Sequence, residues 1–255
     1  KFLNSKGELT VSILKAAYGL LQSSNLWFKL CTKVLKDLGY TPTAMDPCVF
    51  HKKHKEDWSY ITLFVDDLLG CFDDPKEEGR FIAGMCRALG ENKLLKSNKC
   101  DSEMSYIGMQ IVTKPNGDIM VNQKGYLTGL LENYNVVKTA EYPFGGKFME
   151  QTEDNAGEEV SEHDYLSLSM SLLYLASKTR PDILYPNIVL SGRAKTHLRS
   201  DYDKLTKILE YLNNTKDLSL VFRSEGDIHL NGCVDASFNQ HPDAKGHTGF
   251  LISPD

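Results

Sequence analysis

Between residues 23 and 38 the apolar side chains of Trp27, Leu30, Cys31, Val34, Leu35 and Leu38 recur every three or four positions, which is one buried face of a helix. Ser23 or Ser24 can cap its start and Gly39 can end it. The period changes in residues 60–72, YITLFVDDLLGCF, where two short apolar runs meet at an acidic dipeptide. Runs this short are strands, so the spacing predicts a β-hairpin with Asp66 and Asp67 at its turn. Pro75 then opens a second helix to about Leu89, stopped by Gly90. A second hairpin is predicted over residues 107–123, around the turn Pro115-Asn116-Gly117, with a short helix following from Tyr126 to Tyr134.

Residues 141–162 are acidic, contain glycine and offer few side chains for a core, so a linker or long surface loop is predicted there. Beyond it, residues 164–177, 183–197 and 201–213 read as three helices, the last started by the box at Ser200 to Asp203. LSLVF, HLNGCVDASF and HTGFLISP read as strands, which suggests a new α/β unit beginning near residue 218. In HLNGCVDASF alternation puts Asp235 on the more polar face, paired antiparallel with the strand that holds Phe250. The fold class is α/β (α+β), and no internal repeat is present.

Composition narrows the classes of function. With 41% hydrophobic and 25% charged residues in 255, the chain is ordinary globular protein rather than disordered, collagenous or coiled-coil. No apolar run approaches the length of a membrane span, and no signal-peptide order is present, so no membrane partner is expected. The chain begins with Lys1 rather than Met and is expected to be a piece of something longer. A net charge of −5 argues against a surface coated for nucleic acid, yet nine Lys and Arg against five Asp and Glu in residues 1–60 leave a basic start where phosphate could be met. The six cysteines show no CxxC pair and no histidine at metal spacing, which points to reduced thiols in an intracellular protein.

The Asp66-Asp67 pair carries the most chemistry. Two adjacent carboxylates between apolar runs are costly unless a cation joins them, and hard oxygens on a rigid turn suit magnesium or manganese. Two such ions about 4 Å apart can activate a primer 3′-hydroxyl and steady a leaving pyrophosphate. A solvated Asp-rich turn is the alternative that the residues alone leave open.

KAAYGLLQSSNLWF (residues 15–28), MDPCVF (45–50), LFVDDLL (63–69), YIGMQI (106–111), TRPDI (179–183) and YLNNTKDLSL (211–220) occur in the order of copia-type retrotransposon polyproteins. Over essentially its whole length the chain resembles their reverse transcriptase region running into the start of ribonuclease H. The resemblance implies that FVDD corresponds to the family's YVDD box, with Asp66 and Asp67 as catalytic metal ligands and Phe64 in place of a tyrosine. It implies that Tyr18, Gly19 and Gln22, with Leu20, Leu21, Ser23 and Ser24, lie beside the incoming nucleotide and template. Leu21 and Ser24 stand where the family has Lys and Pro, removing a phosphate contact and a rigid turn. Trp27 and Phe28 sit at helical spacing and read as core rather than stacking platforms.

By the same resemblance Tyr106 and Gly108 position the primer terminus, Arg180 is a phosphate contact or, preferably, a helix-terminus anchor, and Asp235 is the first metal-binding carboxylate of a ribonuclease H site. Ser237 replaces that site's usual acid two residues on, and its remaining acids are expected beyond Asp255. The polymerase's first catalytic Asp is expected upstream of Tyr18, and KFLNSKGELTVSIL (residues 1–14) contains no Asp, so a two-carboxylate site should bind ions weakly. The implied organisation is palm and fingers over 1–140, the linker over 141–162, a helical thumb or connection region over 163–217, and a truncated ribonuclease-H-like start over 218–255. The implied activity is RNA-directed DNA polymerisation from dNTPs on an RNA template and DNA primer, within a longer Pol polyprotein, in a cytoplasmic particle or the nucleus. The rival is a degenerate or domesticated relic that binds nucleic acid, or only folds, without catalysis.

Overall fold

The computed structural model describes residues 6–8, 16–17, 19–90, 102–146, 148–152, 160–224, 229–238 and 246–254, which belong to two compact units, Lys1–Lys99 and Cys100–Asp255.

In the first unit the predicted helix is present as α1, Ser23–Asp37. No side chain caps it: Gln22 holds the N-cap position, while Ser23 Oγ donates to the Ala17 carbonyl at 2.5 Å. Gly39, at φ +88°, turns the chain after the helix, a conformation that costs an L side chain energy. Strands β1 (Thr41–Pro42), β2 (Val49–His54), β3 (Asp57–Phe64) and β4 (Asp67–Phe72) form one antiparallel sheet in that order. The predicted hairpin is β3–β4. The two further strands escaped the pattern because β2, VFHKKH, has mostly polar side chains. Helix α2, Pro75–Leu89, begins as predicted, with Pro75 in its first turn and the Asp74 carboxylate accepting from the Lys76 backbone N–H at 2.9 Å.

Both helices cover one face of the sheet. Cys31, Val34 and Leu35 of α1 and Phe81 and Met85 of α2 pack with Phe50, Ile61 and Leu63, all buried. Burial pushes the Cys31 thiol up to about 11, so it serves as a small apolar side chain. Glu77 is nearly enclosed beneath the sheet, 2.5 Å from Lys52 Nζ and 3.2 Å from Arg80. Burial alone would raise its carboxyl, but the hydrogen bonds from Lys52 and Arg80 outweigh that and hold it below the usual carboxylate range.

The second unit has its own antiparallel sheet: β5 (Glu103–Tyr106), β6 (Met109–Thr113), β7 (Ile119–Asn122) and β8 (Leu220–Phe222), in that order. Helices α3 (Lys124–Asn133), α4 (Glu162–Lys178) and α6 (Arg199–Asn214) contribute most of its core, Leu127, Leu130 and Leu131 meeting Tyr165, Leu168, Leu172, Leu205, Ile208 and Leu212. A separate two-stranded ribbon joins β9 (Leu230–Ser237) to β10 (His247–Pro254).

Four expectations are corrected here. First, β8 pairs with β7 through Val121↔Leu220 and Ile119↔Phe222, so it completes an earlier sheet instead of opening a new unit. Second, the helix expected over 183–197 is a 3₁₀ turn, Pro181–Ile183, followed by α5, Leu184–Ser191. After Ser191 the bonds Ala194 N–H to Ser191 and Thr196 N–H to Arg193 span only three residues, which side-chain periodicity does not distinguish from a continuing helix. Third, α6 is closed at its start by Asp201, whose carboxylate accepts from the Leu198 N–H at 3.2 Å, and not by Ser200. Fourth, the stretch expected to be a linker is partly core: Phe148 is buried, and Gln151 Nε2 donates to the fully buried Asp201 at 2.6 Å.

Candidate active site

The two-residue connection between β3 and β4 leaves Phe64 directly opposite Asp67, with Val65 and Asp66 as the central residues of the turn. Of these only Val65 has a positive φ, +52°. Hairpins favour left-handed backbone there because it matches the twist of the strands, but the usual residue is glycine, and a β-branched side chain is strained in that region. The turn is held from outside: Trp27 Nε1 of α1 donates to the Val65 carbonyl at 2.5 Å. Trp27 is therefore half-buried packing and also a tether, and Phe28 packs against the same core.

Asp66 and Asp67 are both exposed, as are Phe64 and Val65. That corrects the expectation of a desolvated pair, since water alone can accommodate these carboxylates. No described residue forms a hydrogen bond or ion pair with either side chain, and no third His, Cys, Asp or Glu among the described residues converges on them. The result is a pair of uncommitted hard-oxygen donors on a fixed turn, a donor set that suits a divalent cation.

Gly19 and Gln22 lie just before α1. Gly19 is at φ +91° in an exposed turn, and a Cβ there would meet nothing within 4 Å, so its backbone conformation is what calls for glycine. Gln22 and Leu21 are exposed, and Gln22 is five residues from Trp27, about 7.5 Å along the helix axis. The Trp27–Val65 bond thus links the helix that Gln22 precedes to the turn that carries the carboxylates. Tyr18 lies outside the described residues.

The remaining candidates belong to the second unit. Tyr106 is buried, and Gly108 (φ +77°) forms with Ile107 (φ +42°) the tight turn between β5 and β6. A Cβ on Gly108 would lie 2.6 Å from Tyr174 Oη, whose hydroxyl donates to the Ile107 carbonyl at 3.2 Å, so the positive φ and this contact together favour glycine there. Arg180, 3% exposed, reaches Asp182 at 2.7 Å and donates to the Thr215 carbonyl at 3.1 Å at the end of α6. It is a helix-terminus anchor. Asp235 is exposed, opposite Gly249 in the β9–β10 ribbon and one residue from the Val234↔Phe250 pair. Ser237 pairs with His247 at the end of the ribbon.

Sequence reasoning missed Val65, because a valine gives no turn signal, and it missed Trp58 and Tyr60, which share the outward face of β3 with Phe64 and whose alternation in DWSYITLF was present to be read.

The two carboxylates thus stand on a hairpin turn of an antiparallel sheet backed by two helices. Residues 3–144 match the family described as reverse transcriptase (RNA-dependent DNA polymerase), so the chain belongs to the reverse transcriptase family. A transposon Ty5-1 protein of Saccharomyces cerevisiae is 26% identical over 239 residues, 92% of this chain and 75% of its own length. The retrovirus-related Pol polyprotein from transposon TNT 1-94 of Nicotiana tabacum is 27% identical over 259 residues, 97% of this chain but 19% of that polyprotein. The Pol polyprotein from transposon RE1 of Arabidopsis thaliana is 24% identical over 88% of this chain and 15% of its own length. The chain therefore spans most of the yeast relative and under a fifth of the plant polyproteins. No solved structure matches it. Among the described residues no helix is long and apolar enough to cross a membrane.

Proposed function

We propose that the first unit is the palm portion of a copia-type retrotransposon RNA-directed DNA polymerase, with Asp66 and Asp67 as its metal-binding carboxylates. The observation that carries the reading is the exposed, uncommitted carboxylate pair on a turn tethered by Trp27. Bound there, magnesium or manganese would supply Lewis-acid activation of a primer 3′-hydroxyl and charge neutralisation at the phosphates of a dNTP. The protein's own part is positional. Val65 and Trp27 fix where the carboxylates stand, and the exposed turn at Gly19 to Gln22 leaves room for backbone approach by nucleotide or template. Phe64, outward and opposite Asp67, offers an aromatic face without a hydroxyl. The β5–β6 turn at Gly108 remains the candidate for primer positioning, acting through its backbone, because Tyr106 is buried. Residues 163–217 serve as the helical thumb or connection region, and the β9–β10 ribbon beyond β8 leads into a ribonuclease-H-like segment in which Asp235 is a metal ligand.

The test is primer extension on an RNA template with dNTPs, using a chain lengthened upstream in its natural polyprotein. Asp66→Asn abolishes extension there while duplex binding stays within about twofold, because the carboxylate supplies charge to a metal rather than contact to phosphate. Equal extension by Asp66→Asn and the parent contradicts the assignment.

A further inference from the structure

The face of the first sheet turned away from α1 and α2 is aromatic and partly exposed. Along β3 the buried residues Ser59, Ile61 and Leu63 alternate with Trp58, Tyr60, Thr62 and Phe64 on the other side. Tyr60 and Phe64 are 45% and 52% exposed. The rings of Trp58 and Tyr60 lie nearly parallel, their centroids 5.9 Å apart and their planes 16° from each other. Beside them on β2 are two basic side chains on the same face. His51 pairs with Tyr60, and Lys53 pairs with Trp58 and holds its Nζ 5.3 Å over the indole. Along β2 and β3 this face carries no acid. The carboxylate at one end is Asp67, opposite Phe64; at the other end Asp73 accepts the Trp58 backbone N–H at 2.8 Å.

We propose that this outward stripe, Trp58 and Tyr60 with Lys53 and His51, is a stacking platform for an unpaired polynucleotide strand leading to or from Asp66 and Asp67. Flat aromatic faces accept any base by stacking, while the Lys53 ammonium meets a phosphate and His51 offers a ring nitrogen for hydrogen bonding, and the combination on one sheet face is what a sequence-tolerant single-strand site requires. The position along the strand matches such a path. From Phe64 back to Tyr60 and Trp58 is about 13 and 20 Å at the β-strand rise. That is roughly four to six nucleotides at the 3.4 Å spacing of a stacked strand. Lys53 has a flexible side chain and can leave the indole for a phosphate when a base takes its place. The proposal rests on the reading of the substrate as a polynucleotide, and it is independent of the metal chemistry at the carboxylates.

The experiment is fluorescence anisotropy of labelled oligo(dT) and oligo(U) of about 16 nucleotides, and of a blunt duplex of similar length, titrated with the whole chain in EDTA. Trp58→Ala and Tyr60→Ala each weaken single-strand binding by roughly tenfold, Trp58→Phe restores most of the Trp58 loss, and Tyr142→Ala, at an exposed tyrosine of the second unit, changes nothing. Lys53→Ala weakens binding and lowers the salt slope by about one. All variants are checked for parental tryptophan or tyrosine emission and circular dichroism, and Trp58→Phe keeps the proposal testable if Trp58→Ala fails to fold. Equal single-strand affinity for the parent and Trp58→Ala overturns the proposal. So does a Trp58→Ala change confined to sedimentation, which would make the face a contact between copies. Parent binding to duplex without Trp58-dependent single-strand binding overturns this proposal and leaves the polymerase reading standing. Equal extension by Asp66→Asn and the parent, with this single-strand binding intact and dependent on Trp58, does the reverse.

Discussion

Trp27 of α1 and Val65 of the β3–β4 turn, 38 residues apart in sequence, share a hydrogen bond of 2.5 Å from the indole Nε1 to the backbone carbonyl. Val65 also carries the turn's positive φ, +52°. Strained backbone of this kind persists only where its surroundings over-determine it, and the indole supplies that constraint from a separate element. Trp27→Phe keeps an aromatic ring but removes the donor, so it should cost the first unit about 1 kcal/mol. Val65→Gly removes the left-handed penalty and should leave stability unchanged or slightly higher. Both tryptophans, Trp27 and Trp58, belong to the first unit, so in variants that keep them urea denaturation followed by tryptophan emission reads that unit alone. A Val65→Gly variant markedly less stable than the parent would show that the turn is not strained.

Glu77 makes the first unit sensitive to acid. Its folded carboxyl is held below the ordinary range, because Lys52 and Arg80 outweigh the burial that would raise it. A group with a lowered folded value contributes stability above its unfolded value, about 4.3, and loses it as pH falls through the lower folded value. Glu77→Gln should therefore flatten the acid limb of a stability profile measured between neutral pH and about pH 3. Lys52→Met leaves the buried carboxylate with Arg80 as its remaining cation and should cost about 3 kcal/mol at neutral pH.

Arg180 should behave as an anchor. It is 3% exposed and bridges Asp182 to the Thr215 carbonyl and hydroxyl, at 3.1 and 2.7 Å for the latter pair. Arg180→Met should lower second-unit stability by about 3 kcal/mol, read by hydrogen exchange in α4 and α6, with polynucleotide affinity and its salt slope unchanged. A slope reduced by about one would assign the guanidinium to a phosphate instead.

Asp235 stands on an exposed ribbon, and among the described residues no other acids gather with it into a metal cluster. Residues 1–255 should accordingly show no detectable cleavage of an RNA–DNA hybrid with magnesium. Magnesium-dependent cleavage lost on Asp235→Asn would contradict this.

Much of the local structure could be read from the pattern of residues, and the reasons differ where it could not. The helices now seen at Ser23–Asp37 and Pro75–Leu89 announce themselves by period and by Pro75 and Gly90, and the carboxylate turn follows from two apolar runs meeting at Asp66-Asp67. The pairing of β8 with β7 joins residues 119–121 to 220–222, and no local signal carries a contact that distant. Phe148 shows the same limit: it lies in an acidic, glycine-containing stretch, but its ring finds a core supplied by other elements. At the candidate site the carboxylates were legible, whereas their exposure and the Trp27–Val65 tether depend on tertiary packing.

Divalent-cation binding at Asp66 and Asp67 is the property on which the polymerase assignment depends. Titrating the isotope-labelled chain with manganese and following paramagnetic broadening of backbone amide resonances reads this without requiring activity. Weak, millimolar-range binding is expected for two carboxylates joined by no third among the described residues. Broadening should be greatest at Phe64 to Asp67 and be lost in Asp66→Asn and Asp67→Asn. Broadening centred elsewhere, with the β3–β4 turn unaffected at saturating manganese, would contradict it.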